Sequence, residues 1–352
     1  MIKIIEPRFF EEEKSIILDI LESGQITRGK WTSLFQEEFA KYLGVEKVYT
    51  VCSGTVALFI ALKALGVEGE RVVVPAMSFM ATIDAVYLAG GIPVVVDVDQ
   101  YYTMDVNQLE DAVKRYRPKV VIPVHLYGQT ADMDGVMYLS EKYGFYVLED
   151  AAQAHGAQWK DKKVGSIGHI SAFSFYASKN LPMGEGGAIA TKDKKLAQEV
   201  KKWIDFGDHP AFNVRITEFQ AGIGYAQLKR LDKNNLRRRE IAYRYMRSLN
   251  GDLIHPAERD GAFHVYHLYT LRHPQRESIV SALKEKNIDV RVYYTYLLHE
   301  LRGAEHLPTP NAEKFRKEVF SIPVHAYLSD EDVEFIVDAL LSAVELAPHP
   351  LC

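Results

Sequence analysis

Short apolar runs alternate with helical patterns through the first half of the chain, and this alternation limits the fold more than any other feature. The apolar runs are rich in β-branched residues and cover positions 47–52, 71–75, 92–97, 119–124 and 145–150. The helical patterns between them cover positions 55–65, 81–88, 106–116 and 132–143. Strands that are apolar on both faces and separated by helices are typical of a mostly parallel sheet with helices on each side. The sequence therefore predicts an α/β fold.

The second half of the chain has a different pattern of elements. It predicts strands over 188–191, 263–270 and 288–294, and helices over 217–249, 277–286 and 330–346. The elements beyond residue 251 indicate a small α+β domain. A chain of 352 residues is long enough for two domains, since single cores rarely exceed about 250 to 300 residues. We therefore expect a large domain over residues 1–234 and a small domain over 235–352.

Composition and charge exclude several classes of protein. The formal net charge of −5 lacks the basic excess that nucleic-acid binding requires. The two cysteines, Cys52 and Cys352, are too few for a disulfide framework or a zinc site, which favours a reducing cytoplasm and no metal. No apolar run approaches the roughly 20 residues of a membrane helix. We therefore expect a cytoplasmic protein that binds neither nucleic acid nor a membrane.

Candidate ligand-binding residues follow the ends of the predicted strands. Ser53, Asp97, His125 and Asp150 all lie at such positions. In open parallel sheets, ligands bind at the carboxyl ends of the strands. The position of Asp150 and its chemistry therefore both indicate a functional role.

Lys179 and Asp150 together suggest one cofactor. Lys179 lies between an apolar segment and the glycine-rich turn 184–187, where desolvation would favour the neutral amine that forms Schiff bases. A buried carboxylate such as Asp150 would keep the ring nitrogen of pyridoxal phosphate (PLP) protonated. The alternative interpretation is an ordinary loop lysine and a helix-capping aspartate.

Three further features could complete such a site, and each has a structural alternative. Ser53 and the Gly54–Thr55 pair end a strand and open a helix, which suits a phosphate but also suits a simple helix cap. Phe79 could stack on a planar cofactor or belong to the core. Gln153 could reach the ligand of Asp150 or form loop hydrogen bonds.

The motifs are far more specific as a set than singly. They cover 53–55, 75–82, 126–134, 149–156, 173–187 and 212–217. In this order they resemble the DegT/StrS-type sugar aminotransferase family, and the resemblance runs from about residue 24 to the C-terminal helix. It implies the PLP-dependent transferase fold of type I, with a mostly parallel seven-stranded sheet and a smaller α+β C-terminal domain. It also implies a homodimer with shared active sites.

The resemblance gives the central residues their roles. In such enzymes the position of Lys179 forms the Schiff base with PLP, Asp150 pairs with the pyridine nitrogen, and Gln153 contacts the cofactor hydroxyl. Related dehydratases carry histidine in place of Lys179. The lysine therefore favours transamination.

The other site residues follow in the same way. Gly54, Thr55 and Ser174 match phosphate-binding positions of the family, and Phe79 matches the residue that packs on the ring. Asn213 matches a residue that reaches the phosphate held by the partner subunit. The chain departs from the family pattern at Tyr293-Tyr294-Thr295, where the family often shows His-Tyr-Pro. This departure affects the residues expected to contact the sugar nucleotide.

We therefore expect a PLP-dependent aminotransferase that moves an amino group, with glutamate as donor, to a nucleotide-linked keto sugar. Glutamine as donor and a cyclitol ketone as acceptor stay open. A PLP-dependent dehydratase is disfavoured by Lys179. A non-catalytic regulatory sensor is disfavoured by the presence of both Lys179 and Asp150, and a nucleotide-binding protein without PLP by the lack of a Gly-x-Gly-x-x-Gly turn.

Overall fold

The computed structural model describes residues 1–207, 210–249 and 251–347. Cys352, one of the two cysteines considered above, lies outside the described residues.

The described residues form thirteen α-helices, a short 3-10 helix at Leu126–Gly128 and thirteen strands. The helices are α1 (Glu11–Ser23), α2 (Lys30–Leu43), α3 (Gly54–Leu65), α4 (Ala81–Leu88), α5 (Val106–Tyr116), α6 (Met133–Tyr143), α7 (Lys194–Ile204), α8 (Glu218–Leu228), α9 (Leu231–Ser248), α10 (Arg276–Glu285), α11 (Leu298–Arg302), α12 (Pro310–Glu318) and α13 (Asp330–Glu345). The strands are β1 (Lys47–Val51), β2 (Arg71–Pro75), β3 (Ile92–Val96), β4 (Val120–Val121), β5 (Tyr146–Asp150), β6 (Gln158–Trp159), β7 (Lys162–Lys163), β8 (Ile170–Ser174), β9 (Gly187–Thr191), β10 (Ala262–Phe263), β11 (Tyr269–Arg272), β12 (Glu305–His306) and β13 (Val319–Ile322).

One large sheet has the strand order β1-β9-β8-β5-β4-β2-β3-β12. Only β9 runs antiparallel to its neighbours, so the prediction of a mostly parallel sheet is confirmed. The expected seven strands are joined by an eighth, β12, which pairs through Glu305 and His306 with β3 at the edge. A two-residue strand has no periodicity of its own, so the sequence carried no signal for it.

Two other elements differ from the predictions. The helix expected over 217–249 is divided into α8 and α9, and the break falls at Lys229 and Arg230, which form ion pairs with Glu12 of α1. The strand expected over 288–294 forms only isolated bridges. Both segments make contacts with residues distant in sequence, which periodicity alone cannot reveal.

A second, smaller core lies in the C-terminal part of the chain. There β11 and β13 form a two-stranded sheet, and buried side chains from α9, α10 and α13 pack with it. The largest buried members include Tyr245, Tyr269 and Phe320. The expected domain boundary at residue 234 falls inside α9, and it stays a prediction.

In the three described ranges, no helix combines the length and the apolar character that a bilayer span requires.

Glu149 joins the centre of the sheet to the loop that precedes β8. Its carboxylate is fully buried and accepts hydrogen bonds from the backbone amides of Gly165, Ile167 and Gly168 at 2.6 to 2.7 Å. His125 Nδ1 accepts a bond from the amide of Ala131, so its Nε2 carries the proton and donates to Glu149 at 3.0 Å. Burial raises the pKa of Glu149, but these hydrogen bonds outweigh it and lower the pKa overall.

The variant Glu149→Gln is expected to lose about 3 kcal/mol or more of stability, because an amide nitrogen would face backbone donors that need an acceptor. Urea unfolding at neutral pH measures this loss. Since the folded-state pKa is lowered, the stabilisation is complete at neutral pH and disappears only in acid. Glu141→Gln, on the exposed face of α6, is the matched control, and an equal effect of both changes would contradict the role of Glu149.

Candidate active site

A cavity of about 360 Å³ opens where the parallel strands β1, β2, β5 and β8 end. Eight of the nine site residues predicted from the sequence line it, and the exception is Asn213. The eight are Ser53, Gly54, Thr55, Phe79, Asp150, Gln153, Ser174 and Lys179. The sheet brings them together because the carboxyl ends of its parallel strands meet at one edge.

Lys179 lies in the turn that follows β8, and its backbone amide donates to the carbonyl of Tyr176 at 2.9 Å. Burial lowers the pKa of its side chain to about 8, against an opposing influence of the Asp150 charge. Desolvation disfavours the ammonium form, so a useful fraction of the amine is neutral near physiological pH. A neutral amine in a cavity wall is the form that attacks an aldehyde.

Asp150 ends β5 and is only 4% exposed. One carboxylate oxygen accepts a hydrogen bond from Thr82 Oγ1 at 2.9 Å, and the other accepts from the amide of Ala152 at 3.2 Å. Burial raises the pKa of Asp150, and Thr82, Ala152 and Lys179 partly oppose this. Such a carboxylate is stabilised by any proton-bearing cation that enters the cavity beside it.

The start of α3 and the end of β8 form an anion-binding corner. Ser53 Oγ accepts from the amide of Val56 at 3.2 Å, so the helix cap considered above is present. The amides of Gly54 and Thr55 belong to the first turn, whose donors have no acceptor inside the helix. A Cβ on Gly54 would lie 2.7 Å from Cβ of Ser174, so glycine is required for this close approach. Amides, hydroxyls and the helix dipole therefore converge where a phosphate could bind.

Phe79 and Gln153 both line the cavity, and both approach Tyr294. Phe79 is 50% exposed, so it is not a core residue, and its ring centroid lies 6.2 Å from that of Tyr294. Gln153 accepts from the amide of Tyr127 at 2.8 Å and donates to the hydroxyl of Tyr294 at 3.1 Å. The loop hydrogen bonds proposed as the alternative for Gln153 are thus present, and the residue also faces the cavity.

Asn213 is exposed on the chain that leads into α8, and its side-chain oxygen accepts from Arg215 at 3.3 Å. It does not line the cavity of its own chain.

Several lining residues were not assigned a role from the sequence. Thr82 lies inside one of the quoted motifs, but its hydrogen bond to Asp150 could be identified only from the tertiary structure. Tyr293 and Tyr294 occupy the segment that departs from the family pattern, so this departure was the available signal. His267 comes from the C-terminal part and stood in no motif.

His125, named above at the end of a predicted strand, and His155, from the motif at 149–156, differ in their hydrogen bonding. His125 is hydrogen-bonded through both ring nitrogens, as described above. The ring nitrogens of His155 are buried and have no hydrogen-bond partner within the described part of the chain.

The comparisons with known proteins agree with this geometry. The model of the DegT/DnrJ/EryC1/StrS aminotransferase family matches residues 7–341. Together with the large, mostly parallel sheet, this match makes the protein a PLP-dependent transferase of fold type I. The chain belongs to the DegT/DnrJ/EryC1/StrS aminotransferase family, which confirms the resemblance, and it is a PLP-dependent aminotransferase.

Similar proteins match over nearly their whole length. The spore coat polysaccharide biosynthesis protein SpsC of Bacillus subtilis is 34% identical, with 96% of each chain covered. The dTDP-3-amino-3,6-dideoxy-alpha-D-galactopyranose transaminase of Aneurinibacillus thermoaerophilus is 35% identical, also over 96% of each chain. The crystal structure of DesV from S. venezuelae superimposes with a TM-score of 0.90 at 32% identity and covers 95% of each chain.

The residues of the cavity fit PLP. The raised pKa of the buried Asp150 carboxylate suits a protonated ring nitrogen, and the corner at Gly54, Thr55 and Ser174 suits a phosphate. Lys179 supplies an amine for the aldehyde, and the exposed ring of Phe79 can cover a planar ligand.

The lowered pKa of Lys179 gives a test in the protein without cofactor. Acylation of Lys179 should rise as the pH increases through about 8, because the neutral amine is the reactive form. Competitive labelling followed by peptide mass spectrometry measures the titration. Lys41 is an internal control, since its pKa is raised by the hydrogen bond to Glu38 and its labelling should need a higher pH. Titration of Lys179 together with Lys41 would contradict the effect of burial.

Proposed function

We propose that the enzyme transfers an amino group from glutamate to the ketone of a nucleotide-linked sugar, and that Lys179 and Asp150 carry the reaction. The observation that carries the proposal is the placement of these two side chains in one cavity beside an anion-binding corner. The names of similar proteins support the acceptor class, since one is a dTDP-sugar transaminase that is 35% identical over 96% of each chain. A cytoplasmic location is proposed on the cysteine content alone.

When bound, PLP supplies a ring that accepts electrons from the α-carbon of the donor. Asp150 would hold the proton on the ring nitrogen and so keep the ring electron-accepting. Lys179 Nζ would bind the aldehyde of the cofactor with loss of water, and once the donor amine has displaced it, the neutral amine would carry the α-proton of the donor. Gly54, Thr55 and Ser174 would bind the phosphate and fix the position of the ring.

Four aromatic side chains lie in the cavity wall. Phe79, Tyr176, Tyr293 and Tyr294 line it, and Phe79 and Tyr176 are both 50% exposed. Such rings offer flat apolar faces and, in tyrosine, a hydroxyl for hydrogen bonding. These features suit a sugar ring, which has an apolar face and polar edges.

The purified holoenzyme should convert glutamate to 2-oxoglutarate over many turnovers only when a nucleotide-linked keto sugar is present, because without an acceptor the cofactor of each site can take up a single amino group. The measurement uses a panel of 3-keto and 4-keto nucleotide sugars, with a cyclitol ketone as comparison and Lys179→Ala as the blank. Turnover of the cyclitol alone would contradict the proposed acceptor. No turnover of any ketone would contradict the function itself.

The variant Asp150→Asn should lower the turnover rate by about 100-fold or more, because a neutral amide cannot hold the proton on the ring nitrogen. Thr82→Val is the matched control: it removes a hydrogen bond to Asp150 but leaves the charge. Its loss of rate should be clearly smaller. Equal rates in wild type and a folded Asp150→Asn protein would show that another group supports the ring.

We also propose that two chains share each active site, with Asn213 of one chain reaching the phosphate held by the other. Asn213 is exposed and lies outside the cavity of its own chain. Among the described residues that line the cavity, Lys179 is the only lysine or arginine. A phosphate there would gain from polar groups contributed by a second chain.

Subunit exchange tests this arrangement. Lys179→Ala and Asn213→Asp chains, each inactive alone, should regain activity when mixed, because one site of the heterodimer then carries neither change. Two Lys179→Ala preparations mixed in the same way are the control. An inactive mixture in which heterodimers have formed would show that Asn213 serves its own chain.

A further inference from the structure

Tyr127 is a buried residue that contacts the wall of the active-site cavity without lining it. It belongs to the 3-10 turn at Leu126–Gly128 and is 2% exposed. Its φ of 60° falls in the left-handed region, which a residue with a side chain rarely adopts. Such a backbone conformation persists only where the surrounding contacts hold the residue in place. Three hydrogen bonds supply contacts of this kind to Tyr127.

Each of these hydrogen bonds joins Tyr127 to a residue that does line the cavity. The backbone amide of Tyr127 donates to Gln153 Oε1 at 2.8 Å, and its carbonyl accepts from the amide of Leu268 at 3.2 Å. Its hydroxyl donates to the backbone carbonyl of Tyr293. The three partners belong to segments that are separate in sequence, and all three line the cavity. Tyr127 therefore connects three parts of the cavity wall.

The hydroxyl of Tyr127 stays protonated at physiological pH and acts as the donor. Burial raises its pKa well above the ordinary value, and the neighbouring Tyr102, Tyr294 and Tyr296 raise it further. A carbonyl oxygen can only accept, so the proton lies on the tyrosine side of the bond. The ring of Tyr127 packs in the main core, edge-to-face with Tyr102 at 5.4 Å between centroids. The donor is therefore carried by a ring that the core holds in place.

The segment that accepts this hydrogen bond has little other backbone support. Bonds between backbone groups fix the segment at Arg291, which pairs with Ser321, and at Leu298, whose amide donates to the carbonyl of Ala76. Between these points, in the described structure, residues 292–296 form no hydrogen bond from backbone to backbone. The hydroxyl of the buried tyrosine thus supplies a contact that neither a strand nor a helix supplies there.

Tyr127 also orients the residue that makes the second contact to this segment. A backbone amide can only donate, so the atom of Gln153 that faces Tyr127 is Oε1. Gln153 Nε2 is then left to donate to the hydroxyl of Tyr294 at 3.1 Å. Tyr293 is therefore held by Tyr127 directly, and Tyr294 is held through Gln153. Both of these tyrosines line the cavity.

We propose that Tyr127 is a positioning residue, which holds Tyr293 and Tyr294 in the cavity wall and thereby sets the affinity for the acceptor sugar. This role rests on the proposed function, in which the aromatic side chains of the wall bind the sugar ring. Because Tyr127 itself does not line the cavity, it acts only through the residues that it holds.

Two tyrosine variants separate this role from a general loss of stability. Tyr127→Phe removes the hydroxyl and keeps the ring in the core. Tyr245→Phe is the matched control, because Tyr245 is also fully buried and its hydroxyl donates to a backbone carbonyl, that of Pro323, at 2.8 Å. Neither Tyr245 nor Pro323 lines the cavity. Circular dichroism checks that both variants are folded.

Nitration of Tyr294 by tetranitromethane measures the hold on the segment without any substrate. Tyr294 is 8% exposed and burial raises its pKa, so the phenolate that reacts is scarce in the wild-type holoenzyme. Its nitration should be about tenfold faster in Tyr127→Phe, since the loss of one hydrogen bond favours local opening by roughly this factor. Tyr245→Phe should match wild type. Tyr138, which is 62% exposed, is the internal reference in the peptide mass spectra.

Steady-state kinetics of the holoenzyme measure the consequence for the substrate. The KM for the nucleotide-linked keto sugar should rise about tenfold in Tyr127→Phe, with a smaller change in kcat, because a binding contact is lost while Lys179 and Asp150 keep their positions. The KM for glutamate should change less, since an amino acid has no ring to place against the aromatic side chains. Tyr245→Phe should leave both KM values unchanged.

Unchanged nitration of Tyr294 in Tyr127→Phe would overturn the proposal, and so would faster nitration with an unchanged KM for the sugar. Equal effects of Tyr127→Phe and Tyr245→Phe would also overturn it. If Tyr127→Phe does not fold, the wild-type holoenzyme gives the second measurement. Slower nitration of Tyr294 than of Tyr138 would support the hold on the segment, and equal rates would overturn it.

The two measurements keep this proposal apart from the proposed function. Normal amination of the keto sugar by Tyr127→Phe, with unchanged nitration, would reject the role of Tyr127 and leave the function in place. Faster nitration in a protein that aminates no ketone would support the hold on Tyr294 and reject the function.

Discussion

The structure around the active site depends on the burial of one carboxylate, that of Glu149. A charge without water must find donors, and Glu149 finds them in the backbone amides of the 165–168 segment and in His125. This requirement ties the segment before β8 to the end of β5. The next residue, Asp150, points to the other face of the strand because side chains alternate along a strand. Glu149 thus contributes to stability on one face of the strand, and Asp150 contributes to the chemistry of the cavity on the other.

Burial is the main influence on the pKa values of Lys179 and Asp150, and within the described residues no arginine lines the cavity. The Asp150 charge opposes the effect of burial on Lys179. Hydrogen bonds from Thr82 and Ala152 oppose it at Asp150 more than the Lys179 charge does. Burial lowers the pKa of Lys179 and raises that of Asp150, and each shift favours the neutral form of the side chain. The lysine gains nucleophilic character from this shift. The aspartate gains a preference for a proton-bearing partner, which the ring nitrogen of PLP provides. The backbone amides at the start of α3 form the positive end of the helix dipole. They can bind the phosphate without an ionised side chain.

Much of this site could be predicted from the sequence, since strand ends, a glycine-rich turn and a helix start are local patterns. The apolar runs located the edge of the sheet where Asp150 and Ser53 lie. The family resemblance joined Phe79 and Ser174 to them. Hydrogen bonds between distant segments could not be predicted, such as those that link Gln153 to Tyr294 and Asn180 to His267. Such pairs have no fixed spacing along the chain.

The sequence by itself determined the class of fold, the cofactor and the residues that line the ends of the parallel strands, because each depends on local pattern and chemistry. The tertiary structure alone decided the edge strand β12, the break between α8 and α9, and the approach of Tyr293, Tyr294 and His267 to the cavity. Packing between segments far apart in sequence is set by shape and burial over the whole molecule, so no short stretch of residues encodes it.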